Sequence, residues 1–375
     1  MPYFDYAATT EIHPKALEAI VKTLKEYYGN PSSLHHEGIK ARKLMNQTKA
    51  RLAERLGCER RQIIITSSGT EANNLAIQGV YQMFPNKRYI TSAVEHHATL
   101  NTMKYLKKQG ADVVILPVDS TGRISLNHLK DALKVDTALV SLIYANNEIG
   151  TIQDLKSILK CVKNTNALMH LDMVQVPLHH SIDFKHLGVD FVSISAHKFY
   201  GPKGTGLLIA KDHSQIERLI HGGKQEFQKR SGTENLAGII GMQVALDEVY
   251  LNHENENAHT SMLSHYFIHK LKESKIEFCI NGPSLNEKRL HNILNIGFKD
   301  IDSQWLSFEL NQQGIYVSLG SACDSDNIEP SHVLRALNVS EDYINGSLRF
   351  SFGIENTKKD IDITIDALTK IIHDA

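Results

Sequence analysis

Apolar and polar positions along the chain alternate between two periods. Short apolar runs suited to buried strands stand at residues 62–66 (QIIIT), 88–92 (RYITS), 112–118 (DVVILPV), 137–145 (TALVSLIYA), 167–172 (ALMHLD) and 190–195 (DFVSIS). Between them the spacing predicts helices from about Gly69, His97 and Asp154. Ahead of this series Pro14 opens an amphipathic helix with Leu17, Ile20, Val21 and Leu24 on one face. Gly29 ends it, and a long polar helix runs on to about Leu56. Strands separated by helices predict a largely parallel sheet with helices on both faces. An apolar helix follows at 236–246. From about Glu254 the pattern changes to a helix ending near Ser274, strands at 276–282 and 315–320, an apolar run at 291–298, a helix near 304–313, a strand at 348–352 and terminal helices. The expected division is a large α/β domain, residues 14–253, and a smaller α+β domain made of residues 1–13 and 254–375.

In open parallel sheets ligands bind beyond the carboxyl ends of the strands, and the polar motifs of this chain stand there. After the first strand, Thr66-Ser67-Ser68-Gly69-Thr70-Glu71 places small residues and backbone N–H groups at a helix N-terminus, an arrangement that binds phosphate; Ser and Thr also serve there as plain caps. Asp172 ends its strand three residues before Gln175, and a carboxylate at a buried strand end needs a cation to meet. The run at 190–195 delivers Ser195, Ala196, His197 and Lys198 to a strand end, and a glycine-rich turn, 201–206, reverses the chain into a second apolar run, 207–210. A lysine so placed can be desolvated until its amine forms a Schiff base with an aldehyde.

Composition narrows the class. A chain of 375 residues exceeds one core, in line with two domains. The net charge of -1, from 41 Lys and Arg against 42 Asp and Glu, supplies no basic field for capturing nucleic acid. No basic N-terminal region precedes an apolar core, and no apolar run is long enough to span a bilayer, so a cytoplasmic protein without a membrane partner is expected. Cys58, Cys161, Cys279 and Cys323 lie far apart without CxxC spacing. They read as free thiols, with no metal site.

The motifs ITSSGTEANN (65–74), EHHA (95–98), NNEIGTIQ (146–153), DMVQ (172–175), SISAHKFYGPKGTG (193–206), RSGTEN (230–235) and GSAC (320–323) occur in the order, and over nearly the whole length, in which the chain resembles the cysteine desulfurases of the NifS/IscS type, within the class-V aminotransferases. The resemblance implies the type I fold of pyridoxal-phosphate-dependent transferases, with pyridoxal 5'-phosphate as cofactor. Lys198 would hold it. Asp172 would keep its pyridinium protonated, Gln175 and Asn147 would bond its phenolic oxygen, and His96 would lie against its ring and shuttle protons. Gly69, Thr70, Ser195 and His197 would take the phosphate, joined by Thr233 from the other subunit of a homodimer. Asn30 and Arg349 would hold the substrate carboxylate. Cys323 would attack the sulfur of bound L-cysteine, giving L-alanine and a persulfide for a protein acceptor, an iron-sulfur scaffold or a tRNA-thiolating enzyme. Taken singly, Asn30 reads as a turn residue before Pro31, His97 as part of a helix's first turn, Asn147 as an Asx turn and Thr233 as a loop residue.

Some positions depart from the resembled pattern. Asp324 follows Cys323 directly and Asp326 is close behind, and a neighbouring anion disfavours a thiolate. Tyr6 stands where Asn is usual. Two other readings keep the cofactor, a selenocysteine lyase and an aminotransferase-like enzyme; the second needs no nucleophilic cysteine. A non-catalytic sulfur-relay scaffold on the same fold is a third, which loss of a cofactor ligand would have favoured.

Overall fold

The apolar runs become β1 (Ile63–Thr66), β2 (Arg88–Ser92), β3 (Asp112–Leu116), β4 (Thr137–Ile143), β5 (Leu168–Asp172), β6 (Phe191–Ser195) and β7 (Gly206–Ala210). These join in one sheet of order β1-β7-β6-β5-β4-β2-β3. Strands β3, β2, β4, β5 and β6 run parallel, and β7 runs antiparallel to both neighbours. Successive residues feed opposite faces: Ile63, Ile65, Val192, Ile194, Leu207 and Ile209 enter one core, while Ile64, Phe191, Leu208 and Ala210 enter another. Both faces are therefore covered, which is why the strands read as continuous apolar runs. The helices are α1 (Pro14–Glu26), α2 (His36–Arg55), α3 (Gly69–Met83), α4 (His97–Lys108), α5 (Leu126–Ala132), α6 (Leu155–Val162), α7 (Phe184–Leu187), α8 (Leu236–Glu273), α9 (Ser303–Gln312), α10 (His332–Ala336), α11 (Glu341–Ile344) and α12 (Lys358–His373). The computed structural model describes residues 1–319 and 330–374.

A second, antiparallel sheet of order β10-β9-β8 is built from β8 (Phe278–Ile280), β9 (Ile293–Phe298) and β10 (Ser347–Ser351). Its own core holds Phe267, Phe298, Phe350 and Phe352 together with Phe4 from the start of the chain. Edge-to-face contacts link Phe4 to Phe267, Phe350 and Phe352. The first ten residues thus form a strap across both sheets. Tyr3 pairs with Tyr316 and Asp5 with Ser351, while the Thr10 amide donates to the His197 carbonyl at 3.0 Å.

Two expectations about elements change. The helices expected at 236–246 and from Glu254 are one helix of 38 residues, α8, so position 253/254 falls inside it. Residues 251–259, LNHENENAH, hold one buried position, Glu256, so no apolar stripe carries the helical pattern across the junction. The strand expected at 315–320 reduces, among its described residues, to isolated bridges, because Tyr316 pairs with Tyr3 and Ser318 with Arg349. A segment that changes partner every second residue builds no ladder.

Candidate active site

A cleft of about 250 Å³ opens at the carboxyl edge of the larger sheet. β1 leads to Gly69 and Thr70, β2 to His96, β4 to Asn147, β5 to Asp172 and Gln175, and β6 to Ser195, His197 and Lys198; all of these line it, as does Arg349 from β10 of the smaller sheet. Lys198 ends a single 3-10 turn, Ala196–Lys198, at the point where β6 reverses into β7. Its Nζ donates to the carbonyl oxygens of Ala7 and Ala8, each at 2.7 Å. Asp172 is buried, accepting from Asn73 Nδ2 at 2.6 Å and from the Val174 amide at 3.0 Å. Gln175 Nε2 donates to the Ala7 carbonyl at 2.9 Å.

The opposite wall is the N-terminus of α3, capped by Ser68, whose Oγ accepts from the Glu71 amide. Gly69 is required here by a close approach: a Cβ would come within 2.6 Å of Val174 Cγ2. Beside it Ser195 Oγ is buried and has no hydrogen-bond partner among the described residues. His96 caps α4, with its Nδ1 accepting from the Ala98 amide at 3.1 Å. Burial lowers the pKa of His96; Asp172 opposes this, while Lys198, His97 and His332 add to it. Burial, aided by Lys198 and Lys203, pushes His197 down to about 4, so it is neutral at physiological pH and acts through hydrogen bonds. Behind the cleft, burial pushes the Glu95 carboxyl up to about 8.

Arg349 is buried, with Nη2 paired to Asp5 Oδ1 at 2.7 Å and Nη1 donating to the Asn147 carbonyl at 3.0 Å. Asn30 and Thr233 do not line the cleft. Asn30 is exposed and its Oδ1 accepts from the Ser32 amide at 2.9 Å, the geometry of an Asx turn; Thr233 is exposed on the loop before α8. Cys323, Asp324 and Asp326 lie outside the described residues. Ala7, Ala8, Asn73, Glu148 and His332, none of them assigned a role from sequence, also line the cleft, as does His97, expected in a helix's first turn. Asn73 stands one helical turn beyond Gly69, a spacing that could have found it. Ala7 and Ala8 contribute carbonyl oxygens, for which side-chain chemistry gives no signal.

The donor set fits pyridoxal phosphate. A helix N-terminus and the stranded Ser195 hydroxyl suit an anion at one end, the buried Asp172 carboxylate suits a protonated ring nitrogen at the other, and Lys198 suits an aldehyde between them.

A sequence profile described as aminotransferase class-V matches residues 2–364. The chain is 44% identical over 373 residues to the cysteine desulfurase IscS of Dictyoglomus turgidum, covering 99% of this chain and 94% of that one. It is 40% identical over 380 residues to the cysteine desulfurase IscS of Methanosarcina thermophila, covering 99% and 92%. Among solved structures, a NifS-like protein superposes with a TM-score of 0.93 at 35% identity over the full length of both chains, and the NifS-like protein of Rickettsia africae with 0.89 at 34% identity over 100% and 99%. The chain belongs to the class-V aminotransferase family, among its pyridoxal-phosphate-dependent cysteine desulfurases of the NifS and IscS type.

Proposed function

We propose that this protein converts L-cysteine to L-alanine and passes the sulfur to Cys323 as a persulfide, with the cleft beside Lys198 as its reaction site. The observation that carries the reading is the meeting of Lys198, Asp172 and Ser195 in one cleft that Arg349 enters from the smaller sheet. Pyridoxal phosphate held there would supply an electron-accepting ring. Gly69, Thr70, Ser195 and His197 would hold its phosphate, Asp172 would meet its ring nitrogen, Gln175 and Asn147 its phenolic oxygen, and His96 its ring. Arg349 receives the substrate carboxylate on its planar guanidinium, held in place by Asp5 and the Asn147 carbonyl. Asn30, outside the cleft of its own chain, is a second carboxylate ligand only if another chain's cleft receives it. The Lys198 amine would take the proton from the substrate's α-carbon and return it. The attacking Cys323 sulfur forms the S–S bond while the bond from Cβ to sulfur breaks with its electron pair on carbon, and protonation of that carbon completes alanine.

The exposed Thr233 supports a homodimer in which each chain offers this hydroxyl to the other's phosphate. Residues 14–253, and 1–13 with 254–375, are the proposed domains, with α8 crossing between them. Among the described residues no helix is long and apolar enough to cross a membrane, and a cytoplasmic site of action is proposed. The acceptor is proposed to be an iron-sulfur scaffold or a tRNA-thiolation enzyme. The test is alanine and sulfide release from L-cysteine with a thiol reductant, visible spectra being recorded for wild type and Cys323→Ser. Alanine from wild type alone, with the cofactor band in both proteins, supports the reading; a Cys323→Ser variant that still forms alanine at the wild-type rate removes the persulfide step.

A further inference from the structure

Three histidines meet at the end of β2, and for neutral rings their hydrogen bonds specify which nitrogen carries the proton. His96 Nδ1 accepts from the Ala98 amide at 3.1 Å, so the neutral His96 ring has its proton on Nε2. His332, the first residue of α10, places Nε2 at 2.9 Å from the Glu95 carbonyl oxygen. A carbonyl only accepts, so this nitrogen is an N–H. With His332 neutral, its Nδ1 is then the accepting nitrogen, and it lies 3.0 Å from His97 Nε2, which donates. The His97 and His332 rings also lie against each other, with centroids 4.5 Å apart. One imidazole, 235 residues further along the chain than His97, therefore ties down the residues on both sides of His96.

This matters because a ring can hold a helix cap through Nδ1 or accept a proton there, but not both. While His96 caps α4 it offers the cleft a donor at Nε2 and no lone pair. We propose that His332 is a positioning residue for the reaction: by fixing the Glu95 carbonyl and the His97 ring, it holds His96 as an Nε2–H donor facing the cofactor rather than as a proton acceptor. The inference rests on the cofactor site described above. Among the described residues, the charged and titratable groups that act on His96 are Asp172 from β5, Lys198 from the 3-10 turn, His97 from α4 and His332 from α10.

The experiment compares holoenzyme of wild type, His332→Gln and His332→Leu. Gln keeps a donor near the position of Nε2; Leu keeps bulk and loses the donor. In nitrogen-15 spectra of histidine-labelled wild type, with His96 assigned by its loss in His96→Gln, the expected tautomer has Nε2 protonated and Nδ1 bare. His332→Leu should lower kcat by about tenfold with KM changed by less than about twofold, the loss of roughly one hydrogen bond, and should move the pH midpoint of the cofactor's absorption band. His332→Gln should recover most of both. A His96 ring protonated on Nδ1 in wild type overturns the proposal, and so does a Leu variant whose His96 tautomer and pH midpoint match wild type. If the Leu variant does not fold, the wild-type tautomer decides. A wild type that takes up pyridoxal phosphate without developing an absorption band refutes the cofactor reading instead. A normal band with the wrong tautomer refutes this inference alone.

Discussion

Ser195 shows how a single atom can be set against the resting fold. Its hydroxyl is buried with no partner among the described residues, and burying an unmade hydrogen bond costs stability. Ser195→Ala should therefore leave the cofactor-free protein as stable as wild type, or more so by up to ~1 kcal/mol. The same variant should bind pyridoxal phosphate tenfold or more weakly, since a hydrogen bond to a charged group contributes about 1.5–3 kcal/mol. Thermal unfolding of the cofactor-free protein and a spectroscopic titration would check the two signs; a loss in both would make Ser195 a structural residue. Asp172 predicts a different pattern. Asp172→Asn keeps the volume and can still meet Asn73, so the cofactor should still bind. Turnover should nonetheless fall by about 100-fold or more as the ring nitrogen loses its counter-charge, measured as alanine formation at saturating cofactor.

Between elements, the N-terminus of α3 is braced against the loop that carries Thr233. Arg230 Nε lies 2.9 Å from Glu71 Oε1, and the Ser67 amide donates to Glu71 Oε2 at 2.8 Å. Burial alone would raise the Glu71 pKa, but the hydrogen bonds from Arg230 and Ser67 outweigh it and hold the group below its usual 4.5. A carboxyl with a depressed folded pKa contributes stability above its unfolded pKa, and that contribution is lost as the pH falls, so the brace should weaken below about pH 4.5. Arg230→Met should leave Glu71 uncompensated beside the phosphate end of the cleft, lowering cofactor affinity and costing about 1–3 kcal/mol of stability. Adding Glu71→Gln should restore part of both in a double-mutant cycle; a second substitution that merely adds its own loss would exclude a brace. Such pairings were not legible in the sequence, although the elements they join were. The strands read plainly because burial on both faces turns them into apolar runs, and the polar residues just beyond, from Thr70 to Lys198, meet in the cleft as parallel topology requires. What stayed hidden depends on contacts distant in sequence: the backbone oxygens of Ala7 and Ala8, and His332 facing His97.

Across the whole molecule the buried histidines set a common acid limit. Burial pushes His170 down to about 3 and His179 and His197 to about 4, against an ordinary 6.5. The unfolded chain therefore binds these protons first. Their stability is fully present above pH 6.5 and is lost as the pH falls from there toward 4, at about 1.4 kcal/mol per pH unit for each proton. Glu95 and Glu256, raised by burial from 4.5 to about 8 and about 7, pull the opposite way over the same range, so the histidine contribution is read by difference: between pH 7.5 and pH 5, His170→Asn, if it folds, should lose about 2 kcal/mol less stability than wild type in denaturant unfolding. Quaternary organisation makes its own prediction. If Thr233 serves the neighbouring chain, then mixing inactive Lys198→Ala subunits with Thr233→Ala subunits, under conditions that exchange them, should produce hybrids with one site carrying both residues. Activity should rise above that of the Thr233→Ala protein alone, and no gain on mixing would place Thr233 outside the site. The strap formed by the first ten residues bears on how the enzyme is made. The Ala7 amide donates to the Ser351 hydroxyl oxygen and Asp5 accepts from the Arg349 guanidinium, each across 344 residues of chain. At ribosomal speeds the strap waits on the order of half a minute for these partners to be synthesised. The carbonyls that receive Lys198 are thus among the first parts of the site to exist and the last to be fixed, so cofactor capture belongs to the finished chain and not to the nascent one.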